Sequence, residues 1–414
     1  MRKWCKMLLE QKIIYNIRSF LNTEKNFMYQ KNNLLLMVYF YLNSFFTLFE
    51  PFIYGRRDFL LRNGILLIVL IYAMKIRKTF NIKFIVISLF LFVSLTINTF
   101  LGFEMNYIAF LSARIFLRTL IPLVIFSTEK YDFKALLVTW YKFATILTSL
   151  LPIYLIIDQW FHVNYFSIGY LAHLNALIIF YTIASEKKLK FFPISLLLFN
   201  IVMCIIFGSR MVTLGLFTAI IIVFLAIYWR WIVKNYILSL FGFISFGITF
   251  SLIPRFTFWL DELLRSRGIF SRNVRLIAYM LRTGNIHLSG RDEFQGLVWD
   301  YIYSTRAFFP GGVGMVRSLT DNQFPHAHNF FLEILLVFGI VLGGVALICF
   351  FFKLIIVLIN SIKLNKERGF FLILIFLPFL IRSFVGTLFL VDYLFLTTLS
   401  IVIFNPKCAT TEVQ

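Results

Sequence analysis

Residues 324–340 read FPHAHNFFLEILLVFGI, placing His326 and His328, two of only five histidines, at the head of a long apolar run. An imidazole titrates near neutral pH, so it can take a proton from a hydroxyl nucleophile or ligate a metal. Metal is the weaker reading. A zinc site wants at least a third ligand, and no HExxH motif or cysteine pair accompanies these histidines. Asn329 follows His328 directly and opens the apolar run.

Arginine supplies the complementary chemistry. In NYIAFLSARIFLRTLIPLVIF, Arg114 and Arg118 are four residues apart and share one helical face in the middle of an apolar segment. An arginine at that depth lines a cavity, touches a substrate or pairs with an acid, and Asp392 is a candidate partner. GSRM (208–211) sets Arg210 in a tight turn whose backbone N–H groups could cradle a small anion, although many hairpins carry Gly and Ser. In LSGRDEF (288–294), Arg291 precedes Asp292 and Glu293, a pattern that also fits an ordinary helix start. Arg382 adds a further arginine inside an apolar run. His162 and His173 flank another and read as packing or interface residues.

The segment 254–328 carries nine arginines (255, 265, 267, 272, 275, 282, 291, 306 and 317) and no lysine. Drift or ease of translocation could produce that bias. Recognition of a multi-oxygen anion explains it better, because the guanidinium fork meets phosphate or carboxylate with two parallel bonds and an ammonium cannot. Apolar spacing predicts helices over 255–270, 271–282 and 292–306, followed by a glycine turn, PGGVGM (310–315).

The elements that must hold these residues are membrane spans. The 414-residue chain is 60% hydrophobic and only 14% charged, against about a quarter charged in soluble domains. Twelve apolar runs approach spanning length, near 34–50, 59–74, 84–101, 106–126, 135–157, 166–184, 192–208, 211–228, 234–253, 329–352, 370–386 and 388–404. The expected fold is an all-α polytopic membrane protein of about 12 transmembrane helices with one large, partly helical periplasmic loop. Its parts are a cytoplasmic or interfacial N-terminal segment (1–33), spans one to nine (34–253), the loop (254–328), spans ten to twelve (329–404) and a cytoplasmic tail (405–414). Orientation follows from lysine. With both termini inside, all 19 lysines fall on or near the cytoplasmic side, as the positive-inside rule requires. The net charge of +21 is therefore a topological signal, and nucleic acid is not an expected partner. Cys5, Cys204, Cys349 and Cys408 form no metal spacing or disulfide framework.

GSR between two mid-chain spans, SGR in a large outer loop, a glycine turn, then HxHN opening a span with LE, Gly339, Gly343 and Gly344, resembles the O-antigen polymerase and O-antigen ligase family. The likeness covers the arrangement of roughly residues 190–350, and the polymerases are the closer match. It implies a glycosyltransferase of the GT-C type in the bacterial inner membrane, working at the periplasmic face without metal or cofactor on undecaprenyl-diphosphate-linked oligosaccharides. A polymerase extends the chain on the next lipid-linked repeat unit; a ligase moves it to lipid A-core. The resemblance also implies Arg210 and Arg291 on the donor diphosphate, and His328 with Asn329 at the reacting centre beside His326. Arg114 and Arg118 are further candidates for the diphosphate. Asp292, Glu293, Asp300 and Asp321 are alternative bases to His328. A chain-length regulator and a flippase are the expected partners. The rival from another class is a lipid-linked glycan flippase or transporter, against which no internal repeat is visible.

Overall fold

A computed structural model describes residues 27–49, 56–77, 80–101, 105–128, 130–161, 165–186, 190–237, 240–242, 247, 251–269, 271–284, 291–304, 308–320, 323–324, 326–384 and 388–408. These residues are almost entirely helical. The first half holds α1 (Phe27–Phe49), α2 (Arg56–Ile76), α3 (Ile82–Leu101), α4 (Met105–Phe126), α5 (Phe133–Phe161), α6 (Tyr165–Glu186), α7 (Phe191–Phe207) and α8 (Arg210–Lys234). Then come the amphipathic α9 (Ile253–Ser266) and α10 (Arg272–Thr283), α11 (Arg291–Ser304) and the single turn α12 (Met315–Leu319). The chain closes with α13 (Phe330–Phe338), α14 (Ile340–Leu364), α15 (Lys366–Ser383), a 3-10 turn (Phe389–Val391) and α16 (Tyr393–Phe404).

By length and composition, segments of α3, α4, α5, α6, α8 and α14 could each cross a membrane, six in all among the described residues. They divide into two kinds. In the spans of α4 and α6, 67% of residues are buried, whereas α3 has 11% and α14 has 17%. The outward faces of α3 and α14 carry Val86, Leu89, Phe90, Leu342, Val345 and Ile348, all exposed. Apolar side chains in that position suit contact with lipid rather than water.

The inner helices pack on aromatic rings. Trp140 and Phe371 each meet Phe40, and Phe126 and Phe133 stack beside them, with centroids 5.8–6.5 Å apart. A polar chain crosses the same region. Trp140 donates to Tyr41 Oη (3.0 Å), Tyr41 donates to Asn175 (2.8 Å), and Asn175 and Asn200 both donate to Thr148 Oγ1. Where little water competes, such links fix which helices touch.

Two spans differ from the sequence expectation. The run at 329–352 is two helices, broken at Gly339. There φ is +77°, and a Cβ would strike the carbonyl of Phe308. The glycine turn explains the break: Gly311 and Gly312 donate to the carbonyls of Leu336 and Val337 at 3.0 and 3.1 Å, taking acceptors that a continuing helix would use. The run at 388–404 is likewise interrupted, since Asp392 caps a 12-residue α16. The expected span at 234–253 falls partly, and the N-terminal segment before residue 27 wholly, outside the described residues. In the 254–328 region the three predicted helices form, as α9, α10 and α11.

The two ends of the bundle differ chemically. At one end Lys130 and Tyr131 pair in parallel with Lys407 and Cys408. Arg368 donates there to Pro406 O and Asn405 Oδ1, and Arg77 donates to Ser127 Oγ. The opposite end holds Arg210, the glycine turn, the histidines, Arg382 and Asp392.

Candidate functional site

The histidines stand on a turn made rigid by its own sequence. Asn329 is the N-cap of α13, and its Oδ1 accepts from Phe331 N and Leu332 N at 3.0 and 3.3 Å. Asn329 O then accepts from Glu333 N at 3.0 Å. To feed the chain into that cap, His328 adopts φ +52°, a left-handed conformation that costs a non-glycine residue about 1 kcal/mol. The kink swings the two imidazoles together, with centroids 4.1 Å apart, and sets His328 edge-on to Phe324. Between them Ala327 is fully buried.

One neighbour braces this turn, and a carboxyl is buried beside it. Gln295 on α11 donates through Nε2 to His328 O at 3.2 Å. Glu333 is buried in the first turn of α13, with its Oε2 lacking a hydrogen-bond partner among the described residues. Arg291 opens α11 one helical turn before Gln295, and its side chain lies outside the described residues. The same helix lays Val298 and Ile302 against Leu332 and Leu336, so α11 and α13 are one packed unit.

The glycine turn is the second brace. Asn98 on α3 accepts from Val313 N at 2.8 Å and donates to Val313 O at 3.5 Å. Gly312 and Gly314 hold φ of +80° and +94°, which only glycine adopts freely. The turn is thereby tied to α3 and to the end of α13 at once.

A buried ionic cluster lies next to the histidine turn. Arg382 and Asp392 form an ion pair at 2.6 Å, both 5% exposed, with Arg382 also over the Tyr170 ring at 5.0 Å. The remaining Asp392 oxygen caps α16 through Leu394 N and Phe395 N. This corrects the expectation for Asp392: the acid is held by Arg382 rather than by Arg114 or Arg118. Arg118, equally buried, donates instead to Val391 O at 2.7 Å, while its own carbonyl accepts from Tyr39 Oη. Phe389 in the 3-10 turn packs on Phe330 with centroids 5.2 Å apart, joining this cluster to the residue after Asn329.

Arg210 is the first residue of α8, at the same end. Its Nη1 lies 2.9 Å from Met280 Sδ on α10. The GSR turn is less open than an anion cradle needs. Ser209 Oγ takes Val212 N, Gly208 N goes to Cys204 O, and Thr213 N goes to Ser209 O. Gly208 is required for packing, because it lies against Gly169 with no room for a Cβ on either. His173 is buried where α6 meets Gly215 of α8. His162, Glu293 and Asp321 fall on residues whose side chains or placement are outside the described set.

The structure thus gathers His326, His328 and Asn329 into one turn and brings the start of α11 to it. Arg118 sits one layer away, through Val391 and Phe389, and Arg210 heads a separate helix of the same end. Sequence reasoning passed over Gln295, Asn98 and Glu333. Glu333 left a readable signal, a lone carboxyl in the run FFLEILLVF. Gln295 and Asn98 left none, since their partners are distant in sequence. Among the described residues no three His, Cys, Asp or Glu side chains are grouped to hold a metal. No protein-family model and no curated protein matches the chain.

Proposed function

We propose that the chain is a membrane glycosyltransferase that joins polyprenyl-diphosphate-linked oligosaccharide units at the outer face of a bacterial inner membrane. The observation that carries the reading is the segregation of chemistry between the two ends of the bundle. Lysine-bearing turns collect at one end, which the positive-inside rule places in the cytoplasm with both termini. The braced histidine turn and the lysine-free arginine region occupy the other. A twelve-span path, with the 234–253 run as the ninth, joins the two.

In the reaction, an acceptor sugar hydroxyl attacks the anomeric carbon of the donor. The bond from that carbon to the diphosphate oxygen breaks, and the hydroxyl proton passes to a base. His328 is the group best suited to take it. The leaving polyprenyl diphosphate departs with the electron pair, and fixed cations stabilise its growing charge. Arg382 is neutralised by Asp392, and Arg118 is committed to a backbone carbonyl. The cations assigned to the diphosphate are Arg210 and Arg291, each the first residue of a helix. Asn329 is the cap that shapes the turn beside His328.

The test uses purified protein in nanodiscs with a defined lipid-linked repeat unit. Polymerisation predicts a ladder of lengthening lipid-linked glycan. Product only when lipid A-core is added would replace polymerase by ligase, and movement of the lipid between leaflets without new glycosidic bonds would favour a flippase.

A further inference from the structure

We infer that α9 is an interfacial helix whose exposed face beds into the lipid headgroup layer at the histidine end of the bundle. The inference uses only the membrane character of the chain and holds whatever reaction the histidine turn performs. α9 has two unlike faces. Thr257, Asp261 and Leu264 are buried, and the helix packs on α10, with Arg282 of α10 over the Phe258 ring at 5.2 Å. Arg265 pairs back to Asp261 at 3.0 Å. The other face carries Leu252, Phe256, Trp259 and Leu263, spaced four, three and four residues apart and all exposed. Phe256 and Trp259 lie ring to ring, with centroids 5.7 Å apart.

Level, continuity and chemistry all name lipid as what covers this stripe. The level is set by α10. Ser271 Oγ donates to Ile206 O at 2.6 Å and Asn273 Nδ2 to Ile205 O at 2.7 Å, taking carbonyls that the last turn of α7 leaves open. Met280 Sδ lies 2.9 Å from Nη1 of Arg210, the first residue of a 25-residue apolar helix long enough to cross a membrane. The α9–α10 pair is thus pinned where such helices end. Continuity comes from the apolar run at 234–253, which leads directly into α9 and exposes Ile237, Leu240 and Phe241. α9 itself carries Arg255, Asp261, Glu262 and Arg265 in 14 residues, too short and too charged for a further span. Its chemistry suits headgroups instead. Exposed Arg255 and Arg267 stand at its two ends, and residues 251–284 hold six arginines against two acids and no lysine. A guanidinium meets lipid phosphate with two bonds, and an indole favours the layer between acyl chain and headgroup.

The test is fluorescence of the full chain in nanodiscs of phosphatidylglycerol and phosphatidylethanolamine brominated at a chosen depth. Trp259 is one of seven tryptophans, so its own emission is that of wild type minus that of Trp259→Phe. Lipid brominated near the headgroup should quench this difference more than lipid brominated near the chain ends, as for a face set about 5–10 Å into the headgroup boundary. Phe256→Glu with Leu263→Glu, at two exposed positions, should leave the melting temperature unchanged and restore the emission, read against the same pair carrying Trp259→Phe. Emission of Trp259 that bromine at neither depth can reach overturns the inference; if that emission shifts only when two chains share a disc, the stripe belongs to a second copy. Stronger quenching by the deep label also overturns it, by making α9 part of a span. So does quenching that survives both glutamates, since lipid would then reach the indole without the stripe. No glycan enters the measurement, so a chain that transfers none leaves this result to stand or fall alone.

Discussion

Two polar sites lie side by side at one end of the bundle, one buried and one half-buried, and they are built in opposite ways. Around Asp392 the groups answer one another: Arg382 takes one carboxylate oxygen, two helix amides take the other, and Tyr170 covers the guanidinium. The histidine turn is held by its backbone. Gln295 and Asn329 both bond main-chain atoms, the backbone at His328 is left-handed, and two imidazoles meet ring to ring. A site whose side chains neutralise each other supports the fold. A site whose backbone is clamped so that its side chains can be presented supports chemistry. Arg382, set inside an apolar run, therefore belongs to the scaffold.

That contrast can be broken from either side. The largest effect should come from Arg382→Ala or Asp392→Ala, each of which strands a buried charge at a cost of about 3–5 kcal/mol. Little folded protein should remain by size-exclusion profile and thermal melting, and Arg382→Met with Asp392→Leu together should recover part of the loss. His328→Ala comes next and should leave the melting temperature unchanged while lowering glycan transfer on the order of 10²- to 10⁴-fold. Arg291→Lys keeps the charge but loses the fork, so transfer should fall by roughly 10²-fold, most visibly at low donor concentration. A mild loss would mean that Arg291 attracts the diphosphate without gripping it. The smallest effect belongs to Asn329. Asn329→Ala removes the α13 cap at about 1 kcal/mol, and Asn329→Asp, which still caps, should keep stability and transfer together. Loss of transfer in a stable Asn329→Asp protein would return Asn329 to the reacting centre.

Much of this was legible in the sequence where the signal is local. The helices of 255–304 follow from apolar spacing, and the glycine turn from Gly311, Gly312 and Gly314. The lysine-bearing turns that gather at one end were each visible as short basic loops. What was hidden depended on contacts across the fold. The run at 329–352 reads as one span because nothing local shows that Gly311 and Gly312 take the carbonyls of Leu336 and Val337. Asp392 could be matched to any membrane arginine until the fold brought Arg382 to it. Asn98 looks like an ordinary polar residue in a span, yet it holds Val313 from 215 residues away. Asn329 invited a catalytic role by standing next to His328, and its capping bonds show why a helix start would place an asparagine there regardless.

The role proposed for the histidine turn is glycosyl transfer. The direct measurement compares wild type and His328→Ala, purified in nanodiscs at equal melting temperature, with one defined lipid-linked repeat unit as both donor and acceptor. The account predicts a ladder of lengthening glycan from wild type and unreacted single units from His328→Ala. A ladder of the same length and rate from both proteins would contradict it.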